Sequence, residues 1–147
     1  MMKNRMWWAA LSLGIMACGA MAGGRDVYIT PEELPVHSQT FLDTHFPGDG
    51  IRHVTKDREN FDVRLSSGAE VDFTLTGDWD KIEGNGVPMP QSVLDLLPKA
   101  IIDYITTKAP NAAITEISVE LYGYEIELSN GLDIRFRSSG ELISIDD

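Results

Sequence analysis

Four segments of this chain alternate strictly between apolar and polar residues, which is the pattern of β-strands that bury one face and expose the other. The segments form two pairs, and a Ser-Ser-Gly or Ser-Asn-Gly sequence lies within each pair, as expected for β-hairpins. A further strand is predicted before each hairpin and a short one after it. The predicted strands are 51–56, 61–65, 71–75 and 79–83 in the first half, and 114–121, 124–128, 134–137 and 142–145 in the second.

A helical pattern precedes the strands in each half of the chain. In the first half, Thr30, Pro31 and Glu33 form a capping box with proline at the first helical position. Pro35 is expected to restart or kink this helix. In the second half, apolar residues recur at helical spacing until Pro110 ends the helix. These apolar residues are Val93, Leu94, Leu97, Ile101, Tyr104 and Ile105.

The two halves are copies of one unit, because a shift of 63 residues aligns 34–83 with 97–146 without a gap. Apolar positions and turn glycines coincide along the whole alignment. Each copy is therefore predicted to be one helical segment followed by a four-stranded antiparallel meander, an α+β unit. We expect the two copies to form one curved sheet with the helices on one face. The predicted boundaries are 23–83 for the first repeat, 84–88 for a linker and 89–147 for the second repeat.

The register of the two central hairpins can also be predicted. A two-residue loop would place apolar residues opposite polar ones, so three-residue loops at 66–68 and 129–131 are favoured. On that basis we expect opposite charges to face one another on the exposed side of the sheet. The expected pairs are Arg64 with Asp72, Glu127 with Arg135 and Glu125 with Arg137, while Leu128 is expected to face Ile134.

The first 22 residues have the features of a secretory signal peptide. Two basic residues precede an apolar run at 6–17, and an Ala-Met-Ala sequence ends at Ala22. The run is shorter than the roughly 20 residues that a membrane-spanning helix needs. We therefore expect cleavage after Ala22 and a periplasmic or secreted mature protein. The alternative is a lipoprotein modified at Cys18, because 15–19 loosely resembles a bacterial lipobox.

Charge and cysteine content exclude several classes of function. Among 147 residues, 12 Lys and Arg oppose 23 Asp and Glu, so the net charge is −11 at pH 7. Nucleic-acid and anionic-lipid partners are disfavoured, because both need clustered basic residues. A membrane association is expected only if Cys18 is lipidated. Because Cys18 is the single cysteine, an internal disulfide and a cysteine-based zinc site are both excluded.

Several motifs together resemble a known family. They are Leu34-Pro35, His45-Phe46-Pro47, Gly68, Gly77 and the second-copy segment 121–131. Over residues 29–147 the chain resembles the PepSY-like exported proteins of Bacteroidetes. The resemblance implies a tandem helix-plus-sheet repeat, similar in fold to the β-lactamase inhibitory protein, which binds enzymes on a concave sheet. PepSY domains proper are associated with peptidase inhibition. The matching positions are mainly core and turn residues, so no inhibitory residue can be carried over to this chain.

No catalytic or metal-binding constellation is predicted. His37, His45 and His53 lack the spacing of a zinc site. The sequence 78–80 has acidic residues but lacks the further oxygen ligands and bidentate glutamate of a calcium loop. The serines lie at turns without the glycines of a nucleophile elbow. We therefore expect neither an enzyme nor a cofactor.

The exposed side of the sheet is the better candidate for function. We expect an exported binding protein, with a protein or peptide partner such as a peptidase or another periplasmic enzyme. The alternative is a small periplasmic ligand- or cation-binding protein that uses the acidic surface. Tyr122 and Trp79 are aromatic candidates for an interface, although Trp79 also suits a core position. The candidate binding residues are Asp62, Arg64, Asp72, Trp79, Tyr122, Glu125, Glu127, Arg135 and Arg137.

Overall fold

The strands of the chain form one antiparallel sheet in which each strand pairs with the next along the sequence. This computed structural model describes residues 26–147; the predicted signal peptide and Cys18 lie outside them. The strands are β1 Val27–Ile29, β2 Ile51–Lys56, β3 Asn60–Leu65, β4 Glu70–Thr74, β5 Trp79–Glu83, β6 Ile114–Glu120, β7 Gly123–Leu128, β8 Asp133–Arg137 and β9 Leu142–Asp146.

Helical segments precede the four predicted strands of each repeat, as expected. A 3₁₀ turn at Pro31–Glu33 carries the expected capping box, in which the Thr30 N–H donates to Glu33 Oε2 at 2.7 Å. The first α-helix, α1, then begins after Pro35 and spans Val36–His45. In the second repeat a short helix, α2, spans Gln91–Leu94, and α3 spans Lys99–Lys108. None of these helices is both long and apolar enough to cross a bilayer.

A row of β-branched residues runs across the sheet and forms the centre of the core. Each member lies directly opposite the next on the neighbouring strand, so the row crosses the junction between the repeats without interruption. Seven inner members have no solvent exposure. Such contacts between opposite side chains stabilise a sheet. The members are Ile29, Val54, Val63, Val71, Ile82, Ile117, Ile126, Ile134 and Ile145.

The helices cover the face of the sheet that carries this row. Phe41 on α1 packs edge-to-face on Phe73, with ring centroids 5.6 Å apart. Tyr104 on α3 packs in the same way on Phe136, also at 5.6 Å. The two contacts are related by the 63-residue shift. The predicted fold class is therefore confirmed: a tandem α+β repeat, one sheet, and helices on one face.

The predicted hairpin register is wrong by two residues, although the loops have the predicted three residues. The Leu128 N–H donates to the Leu132 carbonyl and the Leu65 N–H to the Ala69 carbonyl, both at 2.9 Å. Leu128 therefore lies opposite Leu132, whereas the predicted register places it opposite Ile134. Gly131 permits this closure, since it has a φ of 91°. The observed pairs are Asp62 with Asp72, Arg64 with Glu70, Glu125 with Arg135, Glu127 with Asp133, and Gly123 with Arg137.

One strand was not predicted. Residues 27–29 pair with β2 and add a ninth strand at the edge of the sheet. Three residues are too few for an alternation pattern to be recognised, and two of them, Val27 and Tyr28, are exposed. This strand covers the edge of β2, just as β5 covers the edge of β6 in the second repeat.

Candidate functional site

The face of the sheet opposite the helices carries polar side chains in two rows that run across the strands. Along each strand, the members of these two rows are the residues directly before and directly after the member of the aliphatic row. We call this surface the open face. The mixed row contains both signs of charge and consists of Thr55, Asp62, Asp72, Lys81, Ser118, Glu125, Arg135 and Ser144. The acidic row consists of Glu70, Glu83, Glu116, Glu127, Asp133 and Asp146, and Arg64 lies opposite Glu70 at its end.

In the second repeat an arginine joins the two rows. The Arg135 Nε donates to Glu125 Oε2 at 2.8 Å, and its Nη1 donates to Asp146 Oδ2 at 2.7 Å. The three side chains are only 12–18% exposed. Charge-assisted hydrogen bonds of this kind are strong and directional. Arg135 therefore ties β7, β8 and β9 together and fixes their carboxylates in place.

The first repeat places a carboxyl group at the position equivalent to Arg135. Asp72 corresponds to Arg135 under the 63-residue shift, and it lies opposite Asp62. Burial, and then the charges of Asp62 and Glu70, raise the pKa of Asp72 to about 9. Burial and Asp57 also raise the pKa of Asp62. At neutral pH the two carboxyl groups therefore share a proton where the second repeat has an ion pair.

Asp72→Asn should stabilise the protein at alkaline pH. The pKa of Asp72 is about 9 in the folded state, above its ordinary value near 4, so folding stability is present at low pH and is lost as the pH rises between these values. Asparagine does not ionise, and it can still donate a hydrogen bond to Asp62. Urea unfolding at about pH 5 and pH 8 should show an advantage of the variant that grows with pH.

The control for this experiment is Asp43→Asn, which changes an exposed aspartate on α1. We expect that variant to keep the pH dependence of the parent protein. If Asp72→Asn follows the parent at both pH values, Asp72 does not hold a proton in the folded protein.

A surface cavity of about 400 Å³ lies beside the acidic row where the two repeats meet. Glu83, Glu116, Glu127 and Asn85 contribute to its wall. Lys81 is close by, with its Nζ 2.5 Å from Glu83 and 3.7 Å from Glu116. Burial alone would lower the pKa of Lys81, but these carboxylates raise it, so the ammonium group stays charged. Lys81 thus compensates part of the negative charge at the junction.

The open face brings together most of the candidate residues predicted from the sequence. Asp62, Arg64, Asp72, Glu125, Glu127 and Arg135 all lie on it. Arg137 is exposed at the end of β8. Tyr122 is 37% exposed in the turn between β6 and β7, and burial with Glu125 raises its pKa to about 12. Trp79 instead stacks against Phe41 on the helix side, with ring centroids 6.2 Å apart.

Sequence reasoning missed most of the acidic row. Glu70 and Asp133 are equivalent positions in the two repeats, as are Glu83 and Asp146. The alignment of the repeats therefore contained a signal for these four residues. Glu116 could not be found in this way, because its equivalent in the first repeat is His53.

His37 and His45 both contact polar side chains. His37 Nε2 is 3.4 Å from Asp78 Oδ1, and His45 Nδ1 is 2.9 Å from Ser92 Oγ. Burial lowers the pKa of His45. Across residues 26–147, no three His, Cys, Asp or Glu side chains converge closely enough to hold a metal ion.

The structure is an open antiparallel sheet with helices on one face, built from two repeats. Residues 21–74 and 59–144 each match the profile of the PepSY-like family, which is described as β-lactamase-inhibitor-like. The chain belongs to this PepSY-like family. No curated protein sequence matches it.

Three solved structures from Bacteroides are similar to this chain. One, from Bacteroides vulgatus, is a periplasmic protein with 30% identity and a TM-score of 0.77, covering 88% of this chain and 100% of its own. A second B. vulgatus periplasmic protein, of unknown function, has 26% identity and a TM-score of 0.76, with 84% and 100% covered. The third, from Bacteroides thetaiotaomicron, is provisionally described as a calcium-regulated periplasmic protein; it has 26% identity and a TM-score of 0.77, with 83% and 97% covered. The periplasmic location of these relatives supports the same location for this chain.

Proposed function

We propose that this chain is an exported, non-enzymatic binding protein whose open face docks a positively charged surface of a protein partner. The partner would be a peptidase or another periplasmic enzyme, which the chain inhibits or modulates. The observation that carries the proposal is the acidic row, six carboxylates aligned across six strands of a sheet face. We further propose that the signal peptide is removed after Ala22, with lipidation of Cys18 as the alternative.

The charge of the open face determines the kind of partner. The two rows, with Arg64, contain nine carboxyl groups and only three basic side chains. A face of one dominant sign accelerates association with an oppositely charged partner and rejects partners of the same sign. We therefore expect the partner to present Lys and Arg side chains.

The side chains of the open face are already ordered in the isolated protein. Its side chains stand on strands, and the ion pairs of Arg135, Lys81 and Arg64 restrict them. A surface that is already ordered loses less conformational entropy when it binds. This favours recognition of a folded protein surface over capture of a small flexible ligand.

Charge removal from the acidic row should strongly reduce capture of the partner. The test compares the mature chain with a triple variant, Glu83→Gln, Glu116→Gln and Glu127→Gln, as bait in a Bacteroides periplasmic extract. We expect the triple variant to retain at least about tenfold less of a basic protein than the parent does, since charged interface residues each contribute on the order of 1 kcal/mol or more. The captured protein should also be released by salt.

The matched control removes three charges from the helix side, by Asp43→Asn, Asp95→Asn and Asp103→Asn, at exposed positions. This control should capture the partner as well as the parent does. Equal capture by parent and triple variant, with circular dichroism showing both folded, would contradict the proposal.

Calcium binding is a second candidate, favoured by one observation. The B. thetaiotaomicron relative is described as calcium-regulated, and Glu83, Glu116 and Glu127 line the cavity at the junction of the repeats. Since no metal-holding group exists among the described residues, a calcium site would require these side chains to move. Calorimetric titration with calcium chloride separates the two candidates. Micromolar binding that the triple glutamine variant loses would favour calcium, and an absence of heat would favour the protein partner.

A further inference from the structure

The two edges of the sheet differ in what they offer to another chain. One edge ends in β1, which has three residues. The other ends in β9, which has five residues and, within residues 26–147, pairs with β8 alone. The backbone N–H and C=O groups on the outer side of an edge strand are available for pairing with a further strand. We propose that the outer edge of β9 binds an extended, positively charged segment of the partner protein as a tenth strand.

The protein contains its own example of this pairing. The strand equivalent to β9 in the first repeat is β5, and the outer edge of β5 is occupied by β6. Both strands contain an extra residue at the same place, Asp80 in β5 and Ile143 in β9. After it, three residues of β5, 81–83, pair with β6. The backbone of 144–146 therefore has the same arrangement as a segment that accepts a strand in the same molecule.

Apolar residues at this edge are incompletely covered. Ile82 in β5 is fully buried because Ile117 of β6 lies against it. Its equivalent Ile145 ends the aliphatic row and is only partly buried. Leu142 and Ile143 are 38% and 40% exposed. A tenth strand with an apolar residue opposite Ile145 would extend the row by one member and remove this surface from water.

The charge around β9 selects the occupant. Glu141, Asp146 and Asp147 lie on or beside the strand, Arg135 pairs with Asp146, and residues 138–147 include no basic residue. A second copy of the chain, paired through β9, would bring the same three acids to the contact and be repelled. A segment with Lys or Arg on either side of an apolar residue has complementary charge. Strand addition of this kind uses backbone hydrogen bonds for affinity and alternate side chains for specificity.

A synthetic peptide tests this proposal without knowledge of the natural partner. The probe has the sequence of β6, Ile114–Glu120, with lysine in place of Glu116 and Glu120. Its control is the same peptide with alternate backbone amides N-methylated, which removes the hydrogen bonds of one strand edge. We expect micromolar binding of the probe and at least about tenfold weaker binding of the control. Amide exchange in β9 should slow when the probe binds.

Two protein variants make the outcome specific to this edge. The double variant Leu142→Lys and Ile143→Lys introduces charge at two exposed positions of β9. Charged residues on an edge strand oppose strand addition, so this variant should bind the probe at least about tenfold more weakly than the parent does. The triple glutamine variant of the acidic row should bind the probe within about threefold of the parent. This proposal rests on the proposed function only in taking a protein as the partner.

Three results would overturn the proposal. The first is no binding at about 1 mM probe. The second is binding that the acidic-row variant loses and the β9 variant keeps, which would leave the open face as the docking surface and remove the edge from it. The third is a concentration-dependent dimer whose β9 amides are protected in the absence of the probe, because a second copy would then occupy the edge.

Discussion

Gly123→Ala should lower the free energy of unfolding by about 3 kcal/mol or more. Gly123 begins β7 with a φ of 145°, in a region that L-residues rarely adopt. A Cβ added there would lie 2.2 Å from the carbonyl oxygen of Phe136 and 2.6 Å from the backbone nitrogen of Ser138. These are main-chain atoms of the adjoining strand and turn, so the clash cannot be relieved by rotating a side chain. Denaturant unfolding of the purified variant measures the loss.

The matched control is Gly68→Ala. Gly68 also has a positive φ, 103°, but an added Cβ has no atom within 4 Å. Only the conformational cost remains, and this is about 1 kcal/mol. If the two variants lose the same stability, the close approach of β8 to Gly123 is not a constraint on this fold.

Arg135→Gln should have the second largest effect, a loss of about 2–4 kcal/mol. The substitution leaves Glu125 and Asp146 without their shared cation while both side chains stay largely buried, at 12% and 17% exposure. A buried carboxylate that loses its partner keeps the cost of its desolvation. The glutamine amide can donate only neutral hydrogen bonds in place of the two charge-assisted bonds of Arg135. Thermal and denaturant unfolding should agree on this loss.

Arg64→Gln is the comparison for that prediction. Arg64 pairs with Glu70 in the first repeat, but its side chain is 40% exposed. Glu70 is itself partly exposed, so water can solvate its carboxylate after the substitution, and the expected loss is below about 1 kcal/mol. Equal losses for the two arginine variants would mean that burial does not set the strength of the charge pairs on the open face.

The sequence predicted those parts of the fold that depend on local patterns of apolar and polar residues and on the internal repeat. Alternation identified the faces of β3, β4, β7 and β8, and the 63-residue repeat predicted that the second half would copy the first. The hairpin register was not determined by the same pattern. A shift of two residues keeps every side chain on its face, so alternation could not separate Glu125 opposite Arg135 from Glu125 opposite Arg137.

The arrangement of the candidate site depends on the strand register and on a bulge, and the alternation of apolar and polar residues determines neither. The pairing of Asp62 with Asp72 follows only from the correct register. The position of Trp79 follows from the bulge in β5, where Asp80 is an extra residue and Trp79 lies opposite Phe73 on the helix side. Strict alternation from Ile82 would place Trp79 on the open face. A bulge of one residue has no signature in this sequence, so its consequence was visible only in the structure.

The measurement that most directly tests docking on the open face is carbodiimide labelling of carboxylates, read by mass spectrometry, with and without the captured partner. The account predicts that Glu70, Glu83 and Glu127 in the acidic row are labelled in the isolated protein and protected in the complex. Asp43, Asp95 and Asp103 on the helix side should be labelled equally in both. Unchanged labelling of the acidic row in the complex, with protection on the helix side, would contradict it.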